Sequence, residues 1–141
     1  MNMLDTLRIS ASGLTAQRVR LQSISSNMAN ARSTRTEDGG PYRRQMPVFQ
    51  AVPADSFGSE LAQKLSRVSV VDVVESQEDF RQVFDPGHPD ADEDGYVQYP
   101  NVDIMKEMVD LMTTHRTYEA NTNVVDTTYK MASMALMILG R

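Results

Sequence analysis

The sequence contains no cysteine. Disulfides, thiolate metal ligands and cysteine nucleophiles are therefore excluded. Positive charge is also in short supply. Fourteen Lys and Arg stand against 19 Asp and Glu, giving a formal net charge of −5 and a pI near 4.9. A general nucleic-acid binder carries a basic face, so this balance argues against one. Long apolar runs are missing too. The most apolar segment, MASMALMIL at 131–139, is far shorter than the ~20 residues of a membrane span, and no membrane insertion is expected. The first residues, MNMLDTLRIS, lack a basic n-region, a signal-length apolar core and a small-residue cleavage site. Nothing in them encodes cleaved export.

What remains is a 141-residue chain, 40% hydrophobic, with a mean hydropathy of −0.41. That fits one compact domain, or an elongated chain with one small domain inside it. Charge is unevenly spread. Residues 1–45 carry a balance of +4, residues 46–100 of −8 and residues 101–141 of −1. A basic end and an acidic middle can help like subunits pack head to flank.

Two helical runs bracket the chain. Leu4, Leu7, Ala11, Leu14, Arg18, Leu21, Ser25 and Met28 form a seven-residue repeat, with Arg18 and Ser25 as its weak points. Gly13 inside this run costs roughly 1 kcal/mol relative to alanine, which suggests close backbone packing or a helix not stable alone. The second repeat runs through Ile104, Met108, Leu111, His115, Tyr118, Thr122, Val125, Tyr129, Ala132, Leu136 and Leu139. Its helix would be roughly 55–60 Å long. Pro100 blocks helix before it, Asn101 suits an N-cap, and Asp103 falls in the dipole-favoured first turn. From Met131 onward apolar residues cover most faces, more than one partner helix can bury. This implies oligomerisation, for which flexible methionines are well suited.

The middle differs. PYRRQMPVFQAV and SRVSVVDVVESQ are rich in β-formers, FRQVFDPGHP reads as a short strand ending in a turn, and ADSFGSELAQKL is ambiguous between helix and loop. The expected fold is mainly α with a small β-rich insert, the terminal helices (about 3–30 and 102–139) packing as a coiled coil. The expected divisions are 1–40, 41–100 and 101–141.

Chemistry-bearing constellations are few. Asp90, Asp92, Asp94 and Gly95 match the first half of an EF-hand loop, which makes a calcium-regulated coiled-coil adaptor the alternative function. The twelfth position, however, is Asn101 rather than Glu, and Pro89 precedes the loop. Asp and Gly there serve turn geometry equally well. His88 lies in a turn and His115 on the helical repeat, with no carboxylate partner evident by spacing; Arg116 and Glu119 are spaced to pair. No G-x-S-x-G or phosphate-loop motif exists. No enzyme and no cofactor are expected.

Four stretches, ASGLTAQRVRLQSISSNMANA, STRTEDGGPYRRQ, FDPGHPDADEDGYVQYPNVD and MVDLMTTHRTYEAN, together resemble the proximal rod proteins of the bacterial flagellar basal body, within the rod and hook axial family. The resemblance covers nearly the whole chain. It implies a non-enzymatic building block of the rod, the drive shaft that crosses the periplasm. It implies export by the flagellar type III apparatus without signal cleavage. It further implies terminal helices in an inner tube and a middle segment outside. The implied partners are other copies, other proximal rod proteins, the distal rod protein and a hook–basal-body adaptor. Asn27 and Asn30 match the family signature, and through αL or turn conformations are expected to end the first helix. The expected assembly interface comprises Leu4, Leu7, Leu14, Leu21, Asn27, Met28, Asn30, Ile104, Met108, Leu111, Tyr118, Asn121, Val125, Tyr129, Met131, Leu136 and Leu139.

Overall fold

The computed structural model describes residues 3–37, 39–53 and 65–139. Helix α1 spans Met3–Ala29 and helix α2 spans Ile104–Leu139. Between them lie four strands, β1 (Gln45–Pro53), β2 (Ser66–Glu75), β3 (Arg81–Phe84) and β4 (Tyr96–Tyr99). They form two separate antiparallel pairs, β1 with β2 and β3 with β4. The chain is thus mainly helical with a small strand insert. ADSFGSELAQKL falls almost wholly at 54–64, outside the described residues.

The two helices run antiparallel. Asn27 of α1 bonds Glu107 of α2, and Gly13 faces Asn121. Each pair is fourteen residues from the other along its own helix, so the register is unslipped. Gly13 matters here, because a Cβ would sit 3.1 Å from the Asn121 amide nitrogen. Of the two readings of this glycine, close packing is the one seen, though against the Asn121 side chain rather than a backbone. Continuing the same register brings the start of α1 opposite about residue 131 of α2. The last two turns of α2 therefore overhang, roughly 12 Å of helix at 1.5 Å per residue.

The seam between the helices is not the predicted one. On α2 the less exposed positions are Glu107, Leu111, Thr114, Tyr118, Asn121, Val125, Thr128, Ala132 and Ser133. Four of the eleven expected positions are there, Leu111, Tyr118, Val125 and Ala132. Six others, Ile104, Met108, His115, Thr122, Tyr129 and Leu136, are exposed, and the Leu139 side chain is outside the described residues. The helix is rotated so that polar residues alternate with apolar ones along the contact. This is tolerated because the polar groups are satisfied locally. The Thr114 hydroxyl donates to the Asp110 carbonyl at 2.6 Å and that of Thr128 to the Val124 carbonyl at 2.7 Å, leaving their methyl groups to pack. On α1, Leu7, Leu14, Leu21 and Met28 are half-buried while Leu4, Ala11, Arg18 and Ser25 are exposed. The buried residues, Ser10, Ala16, Ser23, Ile24 and Asn27, are mostly small or polar. Small side chains let the backbones approach, and they gain little from leaving water.

The β1–β2 ribbon lies against α1. The Arg20 guanidinium sits 4.9 Å above the Phe49 ring, and the Val68 N–H donates to the Ser12 hydroxyl at 3.2 Å. A bulge at Val71 shifts the register between Val48 and Phe49. The open edges are blunted: β1 carries Pro47 and Pro53, and the Asp72 carboxylate accepts the Val73 N–H at 2.8 Å.

The β3–β4 hairpin closes over residues 85–95. Strand β4, not recognised in the sequence, pairs Val97 with Val83, and Val97 is fully buried. Gly95 has φ +80°, and a Cβ there would meet the Phe84 ring at 3.0 Å. Only glycine fits without strain.

Candidate functional site

The most tightly constructed point in the molecule is where α1 ends, β1 begins and α2 begins. Asn27 lies at its centre, 1% exposed. Its amide oxygen accepts the Gln45 N–H at 2.8 Å and the Tyr42 hydroxyl at 3.0 Å. Its amide nitrogen donates to the Gln45 carbonyl at 2.9 Å and to Glu107 Oε2 at 3.2 Å. Two donors and two acceptor sites are thus all used. Glu107 is 0% exposed, and its other oxygen accepts from Arg44 Nε at 2.6 Å. Arg44 also approaches Asp110, Nη2 to Oδ2 3.6 Å. A carboxylate this deep is tolerable only with such partners, because an uncompensated buried charge costs several kcal/mol.

The joint extends outward through the backbone. The Arg44 N–H donates to Asn101 Oδ1 at 2.8 Å, and Asn101 Nδ2 donates to the Glu78 carbonyl at 3.0 Å. The Ser76 N–H donates to the Arg44 carbonyl at 2.8 Å, and Arg43 Nη1 to the Ser76 carbonyl at 3.1 Å. Burial pushes the Tyr42 hydroxyl above the usual tyrosine range, and the nearby Glu107 and Glu75 charges push the same way. A cavity of about 250 Å³ opens beside the joint, lined by Asn27, Glu107, Arg44 and Arg20 among others.

Several expectations change here. Asn27 does not turn the chain: it lies inside α1, and no described non-glycine residue has positive φ. It is buried instead because its amide serves as a peptide group for Gln45. Asn30 does close the helix, donating from Nδ2 to the Ser26 carbonyl at 3.0 Å and accepting the Ser33 hydroxyl at 3.1 Å. The N-cap of α2 is Asp103 rather than Asn101, since its carboxylate accepts the Met105 N–H at 2.9 Å. Asn101 belongs to the joint. Glu119 lies 3.6 Å from His115 Nδ1, one turn away, rather than pairing with Arg116. His88 Nδ1 accepts the Asp90 N–H at 3.1 Å and lies 3.9 Å from that residue's carboxylate.

The acidic turn does not gather into a metal site. Asp90 accepts the Thr34 hydroxyl at 2.8 Å and lies near Arg35, while Asp92 accepts the Tyr96 and Asp94 N–H groups. Among the described residues no three His, Asp or Glu side chains are grouped to hold a metal ion. No helix of the described residues is long and apolar enough to cross a membrane.

The predicted interface residues scatter over three environments. Asn27 is buried. Leu7, Leu14, Leu21, Met28, Asn30, Leu111, Tyr118, Asn121 and Val125 are half-buried between elements of the chain itself. Leu4, Ile104, Met108, Tyr129, Met131 and Leu136 are exposed, and the Leu139 side chain lies outside the described residues. Exposed apolar side chains gather at both ends of α2. Met105, Val109 and Met112 lie near its start, and Met134, Leu136, Met137 and Ile138 lie on the overhang, the last 78% exposed. Sequence reasoning missed Tyr42, Arg44 and Glu107. Glu107 carried only a faint signal, standing one turn before Leu111, a repeat position that the helix does half-bury.

The C-terminal part, residues 93–138, matches the family described as Flagellar basal body rod FlgEFG protein C-terminal. Across nearly full length the chain is similar to proteins named Flagellar basal-body rod protein FlgC. The Bacillus subtilis protein is 44% identical, with 98% of this chain and 99% of the relative covered. That of Escherichia coli O6:H1 is 42% identical with 98% of each covered, and that of Borreliella burgdorferi 37% with 99% of each. The chain belongs to the FlgC family of flagellar basal-body rod proteins.

Proposed function

We propose that the chain, a structural and non-enzymatic component of the flagellar basal-body rod, transmits torque through helix–helix contacts in the proximal rod. One observation carries this reading. The chain half-buries only part of its apolar stripe, fills the most buried places of its helix seam mainly with small and polar residues, and leaves many large apolar ones outside. Leu136, Met137 and Ile138 are each at least 70% exposed, and from Met131 to Leu139 there is no charged residue. Such a surface is stable only when neighbours cover it on several sides.

In this reading residues 1–40 and 101–141 form the inner unit, its helices packed as a coiled coil, and residues 41–100 form the outer one. The outward side chains of the predicted set, Leu4, Ile104, Met108, Tyr129, Met131 and Leu136, meet other subunits, and Leu139 is proposed to join them. Asn27, Asn30 and the half-buried members hold the shape that presents them. The neighbours are other copies, the other proximal rod proteins, the distal rod protein and the hook–basal-body adaptor. The protein reaches the periplasmic rod through the flagellar type III apparatus. Load is shared over many parallel helices, so no single side chain bears it.

Leu136→Asp tests the reading, because it places an unpaired charge where assembly would exclude water. The expected result is normal synthesis, no assembled rod and no motility. Normal swimming would overturn it. In the free protein the overhang should be partly unfolded, so full cooperative helicity of α2 in a dilute monomer would count equally against it.

A further inference from the structure

We propose that the outer face of α1 in one copy docks on the methionine-rich face at the start of α2 in a second copy. This rests on the reading of the chain as a rod subunit and names one contact within it. The exposed positions of α1 include Arg8, Ala11, Arg18, Ser25 and Ala29 and no carboxylate. Arg8 and Arg18 form no ion pair with another described residue. This face is turned away from α2 of its own chain, since it lies on the opposite side from Gly13 and Asn27. From Arg8 onward it is cationic, and its other side chains, Gln22 apart, are small.

The facing surface has the opposite character. Met105, Val109 and Met112 are 70%, 61% and 59% exposed. Met105 and Val109 border a recess of about 460 Å³ whose rim carries Glu78, Asp103 and Asp110 against Lys106 and Arg44. Arg44 is held by buried Glu107 and also reaches Asp110; of the rest, Glu78 and Asp103 outnumber Lys106, so the rim is net acidic. Long flexible methionines fit between small residues of a passing helix, and the rim acids meet Arg8 and Arg18. Complementary charge and complementary size together select this occupant over the neutral overhang of α2. Because the two faces differ, the contact is heterologous and can repeat from copy to copy without closing on itself.

The absence of cysteine permits a direct test. Ser25→Cys and Met112→Cys are introduced into one chain, which replaces the native protein, and isolated basal bodies are oxidised. Covalent multimers of this chain are expected from the double variant and none from either single variant. Assembled rods without multimers, or adducts only to a different rod protein, would overturn the proposal. Should the double variant not assemble, Arg18→Glu is used instead. It is expected to lower the number of rods about tenfold, and Glu78→Arg in the same chain is expected to restore them. A lack of restoration also overturns the contact. If Leu136→Asp still abolishes rods in that case, the rod-subunit reading stands and only this docking is lost.

Discussion

Replacing Asn27 by alanine measures what the polar joint contributes. The substitution frees the Gln45 N–H and carbonyl, the Tyr42 hydroxyl and one oxygen of Glu107, all within 3.2 Å of the present amide. A buried polar group left without a partner costs about 1–3 kcal/mol. The adjoining cavity of about 250 Å³ lets water reach some of the four. Counting roughly two as unsatisfied, the loss should be about 2–6 kcal/mol. With a urea slope of about 2 kcal/mol per molar, the unfolding midpoint should fall by about 1–3 M. Far-UV circular dichroism follows the helices, and tyrosine fluorescence follows the five tyrosines, Tyr42 among them, in a protein without tryptophan. Asn27→Asp sharpens the test. It keeps the shape but loses both donors and sets a carboxylate against Glu107, so it should be less stable at neutral pH than the alanine variant. An alanine variant within about 0.5 kcal/mol of the parent, the usual scale of a neutral surface change, would refute the reasoning.

Three further outcomes are expected. Gly13→Leu must push Asn121 and its helix aside and should lose about 1–3 kcal/mol; Gly13→Ala needs only a small shift and should stay within about 1 kcal/mol of the parent. A thermal melt in which leucine matches glycine contradicts the close approach. Asp103→Ala removes the N-cap of α2 and should cost about 1 kcal/mol, read as a lower melting temperature; an unchanged melt would count against the cap. Tyr42 has its folded pKa raised by burial, so the folded state keeps the proton longer than the unfolded one. Its contribution is present below the ordinary tyrosine pKa of about 10 and is lost as pH rises through the folded value. Tyr42→Phe should be less stable at neutral pH and show a shallower alkaline decline, and an unchanged alkaline slope would contradict this.

The sequence carried the two helices plainly, because their repeats are long and Pro100 and Gly140 mark the bounds of the second. Valine-rich β2 was equally legible. β4 was not, since YVQY is four residues long between an acidic turn and a proline, and only its pairing with Arg81–Phe84 defines it. The rotation of the seam was hidden for a different reason. Periodicity locates the apolar stripe, yet here the apolar stripe is shared between the chain's own contact and the outside. The buried positions Glu107 and Thr114 look like surface residues until Arg44 and the Asp110 carbonyl are seen beside them. Asn27 stood out in the sequence for a different role, the turn after α1; its actual bonds depend on a partner eighteen residues away, Gln45, which no local rule identifies.

The antiparallel course of α1 and α2 has a last consequence. Everything from residue 30 to residue 103 enters and leaves the helix hairpin at one pole, sealed there by Asn27, Arg44 and Glu107. The start of α1 and the overhang of α2 occupy the opposite pole. The turn of the β3–β4 hairpin, tied near the first pole, can therefore change length with little felt at the far tip, whereas the β1–β2 ribbon is bonded to Ser12 well along α1. A shaft whose bearings must keep one gauge gains in this way a region free to vary.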